Sequence, residues 1–146
     1  MVSSPMRLFL LSLSICLMAC KPPSPTPAAV EPPAILLPAS VQQLSPAETA
    51  TWITTHPEAL ILDLRMPEEV TREGKLLASQ NHDYLQPATA GYLAKLDRDK
   101  PYLLYCAIGG RSVRAAAQMQ SQGFTQLSIL KGGLNAWLTD GREVIK

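Results

Sequence analysis

The run Tyr102-Leu103-Leu104-Tyr105-Cys106-Ala107-Ile108-Gly109-Gly110-Arg111-Ser112 passes from four consecutive apolar residues to a cysteine, a glycine pair and an arginine. Four apolar residues without polar alternation are too few for a helix and describe a strand covered on both faces, as in a parallel sheet. Cys106 to Arg111 then reads as a loop, and Ser112 to Gln122 as a helix whose end Gly123 marks. Working outward, Leu60 to Leu64 and Leu127 to Leu130 are two further buried strands. Ser45-Pro46-Ala47-Glu48 is a helix start, with Ser45 as cap, Pro46 in the first turn and Glu48 closing a capping box, and that helix is expected to run to about Thr55. Pro87 opens another, carrying Tyr92, Leu93 and Leu96 on one face and closed by the polar stretch Asp97 to Lys100. Gly132-Gly133 is read as a turn and Leu134 to Leu138 as a last short helix, with Trp52 and Trp137 facing the core. Strands and helices alternate, which predicts an α/β domain: a parallel sheet with helices on both faces. In such sheets the functional crevice lies beyond the carboxyl ends of the strands, where Cys106 falls.

The chain has 146 residues, 47% hydrophobic and 17% charged, with a formal charge of +1. Once a leader and a linker are set aside, residues 40–146 remain, enough for one core and one domain. Arg7 is the one charge before Cys20, so the processed chain would hold 12 basic and 12 acidic residues. That balance gives no support to nucleic acid or to an anionic membrane surface as a partner held by bulk charge. A small anionic substrate would need local donors.

Residues 1–19 read as a secretory signal, with Arg7 ahead of the apolar run Leu8 to Ala19, which is too short to span a bilayer. The segment ends at Leu17-Met18-Ala19-Cys20, which resembles the bacterial lipobox; the resemblance implies lipid on the Cys20 thiol and cleavage before it. A plain signal peptide with a chance cysteine is the alternative. Residues 21–39 hold seven of the 13 prolines and cannot form regular helix or sheet. As an extended tether, at about 3.1 Å per residue, they would reach roughly 60 Å. The expected location is therefore the bacterial cell envelope, lipid-anchored on a periplasmic or other extracytoplasmic face; Lys21 after Cys20 favours the outer membrane in a host with two membranes. With Cys16 lost and Cys20 lipidated, Cys106 has no partner in the mature chain, and an unpaired thiol in an oxidising compartment points to use.

The chemistry is concentrated in the loop. Gly109 and Gly110 allow a tight turn that aims backbone N–H groups inward, with a helix N-terminus behind them. Such a nest favours an anion at its centre, and the thiolate of Cys106 is one, so Cys106 is expected to be a nucleophile near neutral pH. Arg111 supplies a fixed positive charge for an anionic donor group. The bland alternative is a core cysteine at a strand end with a surface arginine five positions later. His56 and His82 stand apart without cysteine or acidic partners at ligand spacing, so no metal site is read.

The segment Cys106 to Ser112 resembles the active-site loop of rhodanese-like domains in its C-x-x-G-x-R-S form. Three more segments occur in that family's order: Asp63-Leu64-Arg65-Met66-Pro67-Glu68-Glu69, then Asn81 with Asp83, then Gly123-Phe124 with Leu130-Lys131-Gly132-Gly133-Leu134 and Trp137. The resemblance covers about residues 40–140. It implies a sulfurtransferase in which Cys106 accepts sulfur from a small donor such as thiosulfate and passes it to cyanide or a thiol, with no cofactor. By the same resemblance, the amides of Ala107, Ile108, Gly109, Gly110, Arg111 and Ser112 cradle the persulfide and Arg111 binds the donor. Asp63, Arg65 and Glu69 would brace the site's edge as scaffold, the alternative being a surface ion-pair cluster near a strand end. One segment departs: where the family has G-H-I-x-G-A this chain has Gly74-Lys75-Leu76-Leu77-Ala78-Ser79, with one extra residue between Glu69 and Gly74, which implies altered packing at the pocket rim.

Two rivals share these features. A cysteine-dependent phosphatase also ends its loop in arginine at a helix start, but with five residues between the two; here there are four, Ala107 to Gly110. A sulfur carrier, sensor or partner-docking module would keep the loop without turnover, and a protein acceptor is compatible with either.

Overall fold

A computed structural model describes residues 37–146; the signal segment, Cys20 and the linker up to residue 36 lie outside the described residues. The packed domain begins slightly before residue 40, because Leu37 already lies against the core and Val41 N–H donates to the Pro38 carbonyl at 2.9 Å.

The chain runs β1 (Gln42–Leu44), α1 (Pro46–Thr55), β2 (Leu60–Asp63), α2 (Pro67–Glu73), β3 (Gln80–Asn81), α3 (Pro87–Leu93), β4 (Tyr102–Tyr105), α4 (Gly110–Ser121), β5 (Leu127–Leu130) and α5 (Gly133–Thr139). The five strands form one parallel sheet in the order β1-β5-β4-β2-β3. The three apolar runs are its centre. β1 and β3, which the sequence does not signal, are its edges: β1 carries exposed Gln42 and Gln43, and β3 is two residues long.

β4 shows how the layers divide. Its side chains alternate, as strand geometry requires. Tyr102 and Leu104, followed by Cys106, join Leu93 of α3 and Ala115, Ala116 and Met119 of α4 on one face. Leu103 and Tyr105 join Trp52 of α1 and Leu134 and Trp137 of α5 on the other. Helices thus cover both faces, and each fully buried leucine here contributes about 1.5–3 kcal/mol relative to exposure. Ser45 caps α1 as expected: its Oγ accepts from Glu48 N–H at 3.3 Å while its own N–H donates to Glu48 Oε2 at 2.8 Å.

Several boundaries move by a residue or more. α4 starts at Gly110, so Gly110 and Arg111 belong to its first turn and not to a loop reaching Ser112. Gly133 is the first residue of α5 and not the end of a turn. α3 ends at Leu93, leaving Leu96 beyond it, although both pack on the same cluster. α2 is a helix the sequence does not announce. Its one buried residue is Glu69, so its inward side carries charge where a helical pattern would be apolar.

Candidate functional site

Cys106 follows directly on β4 at the carboxyl end of the central strand, and is 1% exposed. The chain then turns through Gly109, at φ +110°, into α4. That left-handed conformation is accessible to glycine at no steric cost. It aims the Gly109 N–H at the Cys106 Sγ, 3.1 Å away. The amides of Gly110, Arg111 and Ser112 have no acceptor among the described residues, as the first turn of a helix dictates, so their positive ends remain available to an anion. The Ser112 hydroxyl donates to the Gly109 carbonyl at 2.8 Å and lies 3.9 Å from the sulfur. It therefore holds the turn as well as facing the thiol. Ile108 stands out from the loop, 71% exposed.

The loop is fixed from beneath by α5. Leu134 N–H donates to the Cys106 carbonyl at 2.8 Å and Asn135 N–H to the Ala107 carbonyl at 3.0 Å. These bonds satisfy two carbonyls that the end of a strand would leave unpaired.

Arg111 is in the site, but its charge is already engaged. Nη1 donates to Glu69 Oε2 at 2.7 Å and Nη2 to Glu69 Oε1 at 2.8 Å, a forked pair between the first turns of α4 and α2. Glu69 Oε2 also accepts from Met66 N–H at 2.9 Å. The bonds from Arg111 hold the Glu69 carboxyl down at about 2, against an ordinary 4.5. Arg111 is in turn kept more strongly protonated, first by its bonds to Glu69 and further by its nearness to Cys106. Of the three residues expected to brace the site, Glu69 does so directly.

Asp63 and Arg65 do not form a surface cluster. Both side chains are 0% exposed, with Arg65 Nη2 on Asp63 Oδ2 at 2.6 Å and Nε on Oδ1 at 2.9 Å. Arg65 also donates to the Gly74 carbonyl at 2.7 Å and to Glu73 Oε2 at 3.1 Å. Burial alone would weaken its charge, but the bonds and charge of Asp63 outweigh that, and its protonation is favoured. The Tyr105 hydroxyl completes the network by donating to Asp63 Oδ2 at 2.8 Å and accepting from Leu76 N–H at 3.1 Å. Burial, then the Asp63 charge, push that phenol well above its usual range. Tyr105 and Cys106 are consecutive and point to opposite faces of the sheet, so this network supports the site through the backbone of β2 and β4 without touching the sulfur.

The departing segment Gly74 to Ser79 joins the same network. Ser79 Oγ lies 3.0 Å from the Tyr105 hydroxyl, and Lys75 Nζ donates to the Ser79 carbonyl at 2.9 Å. Ala78, standing at the family's second glycine, keeps the left-handed backbone at φ +61°. Asn81 Nδ2 donates to the carbonyls of Asp63 and Arg65 at 3.1 and 2.8 Å. It fixes the chain where β2 leads towards α2. Tyr105, Ser79 and Gly133 are supporting residues that the sequence alone does not reveal: a tyrosine in an apolar run reads as core, and a second glycine reads as a turn.

Several known proteins resemble this chain in sequence and fold. A sulfurtransferase from Allochromatium vinosum is 28% identical over 88 residues, covering 60% of this chain and 79% of its own. Several curated sulfurtransferases that the chain also matches are much longer, and it spans only 15–24% of them. Among solved structures, the polysulfide-sulfur transferase homodimer of Wolinella succinogenes is 26% identical with a TM-score of 0.59, over 71% of this chain and 77% of that one. A protein of unknown function from Rhodopseudomonas palustris, described as a possible tyrosine phosphatase, is 26% identical with a TM-score of 0.62, over 72% of this chain and 85% of that one. The family model of the rhodanese-like domain matches residues 45–140, across the whole run from the α1 cap to the end of α5. With that match spanning four of the five strands, the cysteine turn and the α5 support beneath it, the chain belongs to the rhodanese-like domain family, whose curated relatives here are named as sulfurtransferases.

Proposed function

We propose that this protein moves a sulfane sulfur through a persulfide on Cys106. The Cys106 thiolate attacks the outer sulfur of a small donor such as thiosulfate; a new S–S bond forms, the old one breaks, and sulfite leaves with the bonding pair. The persulfide then gives its outer sulfur to cyanide, forming thiocyanate, or to an acceptor thiol, and the Cys106 thiolate returns. The observation that carries this reading is the Gly109 N–H pointing at the sulfur from 3.1 Å, with the free amides of the first turn of α4 beside it. Fixed dipoles of this kind stabilise an anion without reorganising when the charge moves outward by one sulfur. Purified protein assayed with thiosulfate and cyanide is expected to release thiocyanate with ping-pong kinetics, and Cys106→Ser to release none. No turnover in either protein, with sulfur still loaded on Cys106, would leave a carrier or sensor. Phosphate release dependent on Cys106 would favour the phosphatase chemistry attributed to the Rhodopseudomonas relative.

The location is a second part of the same proposal. Arg7, the apolar run to Ala19 and the Leu17-Met18-Ala19-Cys20 end support export and lipidation, with the proline-rich segment as tether to the envelope membrane. Metabolic labelling with a clickable fatty acid should mark the wild-type chain and not Cys20→Ala. Equal labelling of the two would reject Cys20 as the lipid site.

A further inference from the structure

Arg111 stands beside the cysteine turn, yet both of its terminal nitrogens are bonded to Glu69, at 2.7 and 2.8 Å, and neither side chain is more than 18% exposed. The carboxylate is itself held in place by Met66 N–H at the start of α2. The anion-binding fork of this site is therefore occupied by a carboxylate belonging to the chain. A donor whose leaving group is an oxyanion has to take Arg111 from Glu69 and then share the space with a second anion. A tethered group competes as if present at millimolar concentration or above, so a free anion displaces it only at comparable levels. A donor that carries its transferable sulfur on an organic thiol, R–S–SH, has a thiolate and not an oxyanion as leaving group, and its reacting end needs only the amides of the turn.

We infer that Glu69 is a specificity-determining residue, a built-in competitor for Arg111 that turns the site away from oxyanion donors such as thiosulfate and towards organic persulfides. In the favoured reaction the Cys106 thiolate attacks the outer sulfur of R–S–SH; a new S–S bond makes the Cys106 persulfide, the donor's own S–S bond breaks, and R–S⁻ leaves with the electron pair. The inference rests on the sulfur-transfer reading and names its donor class. The Glu69 carboxyl, held at about 2, stays ionised throughout the physiological range, so the competitor is permanent.

The test measures single-turnover loading of sulfur on Cys106 in the full chain, wild type and Glu69→Gln, with thiosulfate and separately with glutathione persulfide. Glu69→Gln is expected to shift the ratio of the two rate constants towards thiosulfate by about tenfold or more, the change that about 1.4 kcal/mol produces. The shift should come with a lower apparent KM for thiosulfate, which a merely structural loss would not give. Should Glu69→Gln fail to fold, Glu69→Asp, whose shorter arm cannot span the fork, is expected to move the ratio the same way by less. An unchanged ratio, or one moving against thiosulfate, overturns the inference while leaving sulfur transfer intact. No sulfur on wild-type Cys106 from either donor overturns the sulfur-transfer reading itself.

Discussion

Gly133, the first residue of α5, lies so close to Cys106 that a β-carbon on it would collide with the Cys106 carbonyl oxygen and come within 2.6 Å of the Ala107 carbonyl oxygen. The close approach is what lets α5 donate two N–H groups to the backbone of the cysteine turn. Gly133 also sits at φ +61°, so a side chain there meets backbone strain as well as backbone atoms. Gly133→Ala is expected to destabilise the domain by about 2–4 kcal/mol, combining the left-handed penalty with overpacking. Gly110→Ala is the control: nothing stands within 4 Å of its added methyl, and its backbone is already helical. It should be neutral or stabilising by up to about 1 kcal/mol. Urea unfolding of both variants checks the contrast, and equal losses would contradict it.

The Asp63–Arg65 pair is expected to govern stability more than chemistry. Removing one partner leaves the other charged and buried, at a cost of about 3–5 kcal/mol. Arg65→Ala and Asp63→Ala should therefore lower the unfolding midpoint sharply. Any variant molecules that remain folded should still load sulfur on Cys106. Retained stability with selective loss of loading would mean that these residues act at the site.

Glu69 gives a signed pH dependence. Its carboxyl is lowered in the folded protein from 4.5 to about 2, so its contribution is fully present above 4.5 and is lost as pH falls towards 2. The stability difference between wild type and Glu69→Gln should be constant from neutrality down to about pH 5 and shrink below that. Denaturant titrations across the acid range measure it. A difference that shrinks instead as pH rises would break the ion-pair assignment.

Ala78 is the one non-glycine residue with positive φ among the described residues, at φ +61°. A left-handed alanine costs about 1–2 kcal/mol, part of which glycine returns through greater freedom in the unfolded chain. Ala78→Gly should stabilise the domain by about 0.5–1 kcal/mol without altering sulfur loading. Thermal unfolding decides it, and a loss of stability would show that the methyl contributes packing that outweighs the strain.

The legible parts of this protein are those where one residue pattern has one physical use. Leu60 to Leu64, Tyr102 to Tyr105 and Leu127 to Leu130 are short, mostly apolar runs, and each supplies a central strand. The Ser45 to Glu48 capping box and the Cys106-to-Arg111 glycine turn name their own local geometry. What the sequence hides is set by tertiary partners. β1 and β3 exist because a neighbouring strand offers hydrogen bonds to their backbone, not because of side chains such as Gln42, Gln43 and Gln80. α2 turns a glutamate inward because Arg111 waits there, 42 residues away. The same kind of distant pairing places Asp63, Arg65 and Tyr105 in one buried network, which no spacing rule along the chain anticipates.

The most direct test of the account is the intact mass of the protein after incubation with a sulfane-sulfur donor, with the modified peptide mapped. A gain of one sulfur atom on Cys106 is expected, absent from Cys106→Ser and removed by cyanide with release of thiocyanate. An unmodified Cys106 after exposure to both thiosulfate and glutathione persulfide would contradict it.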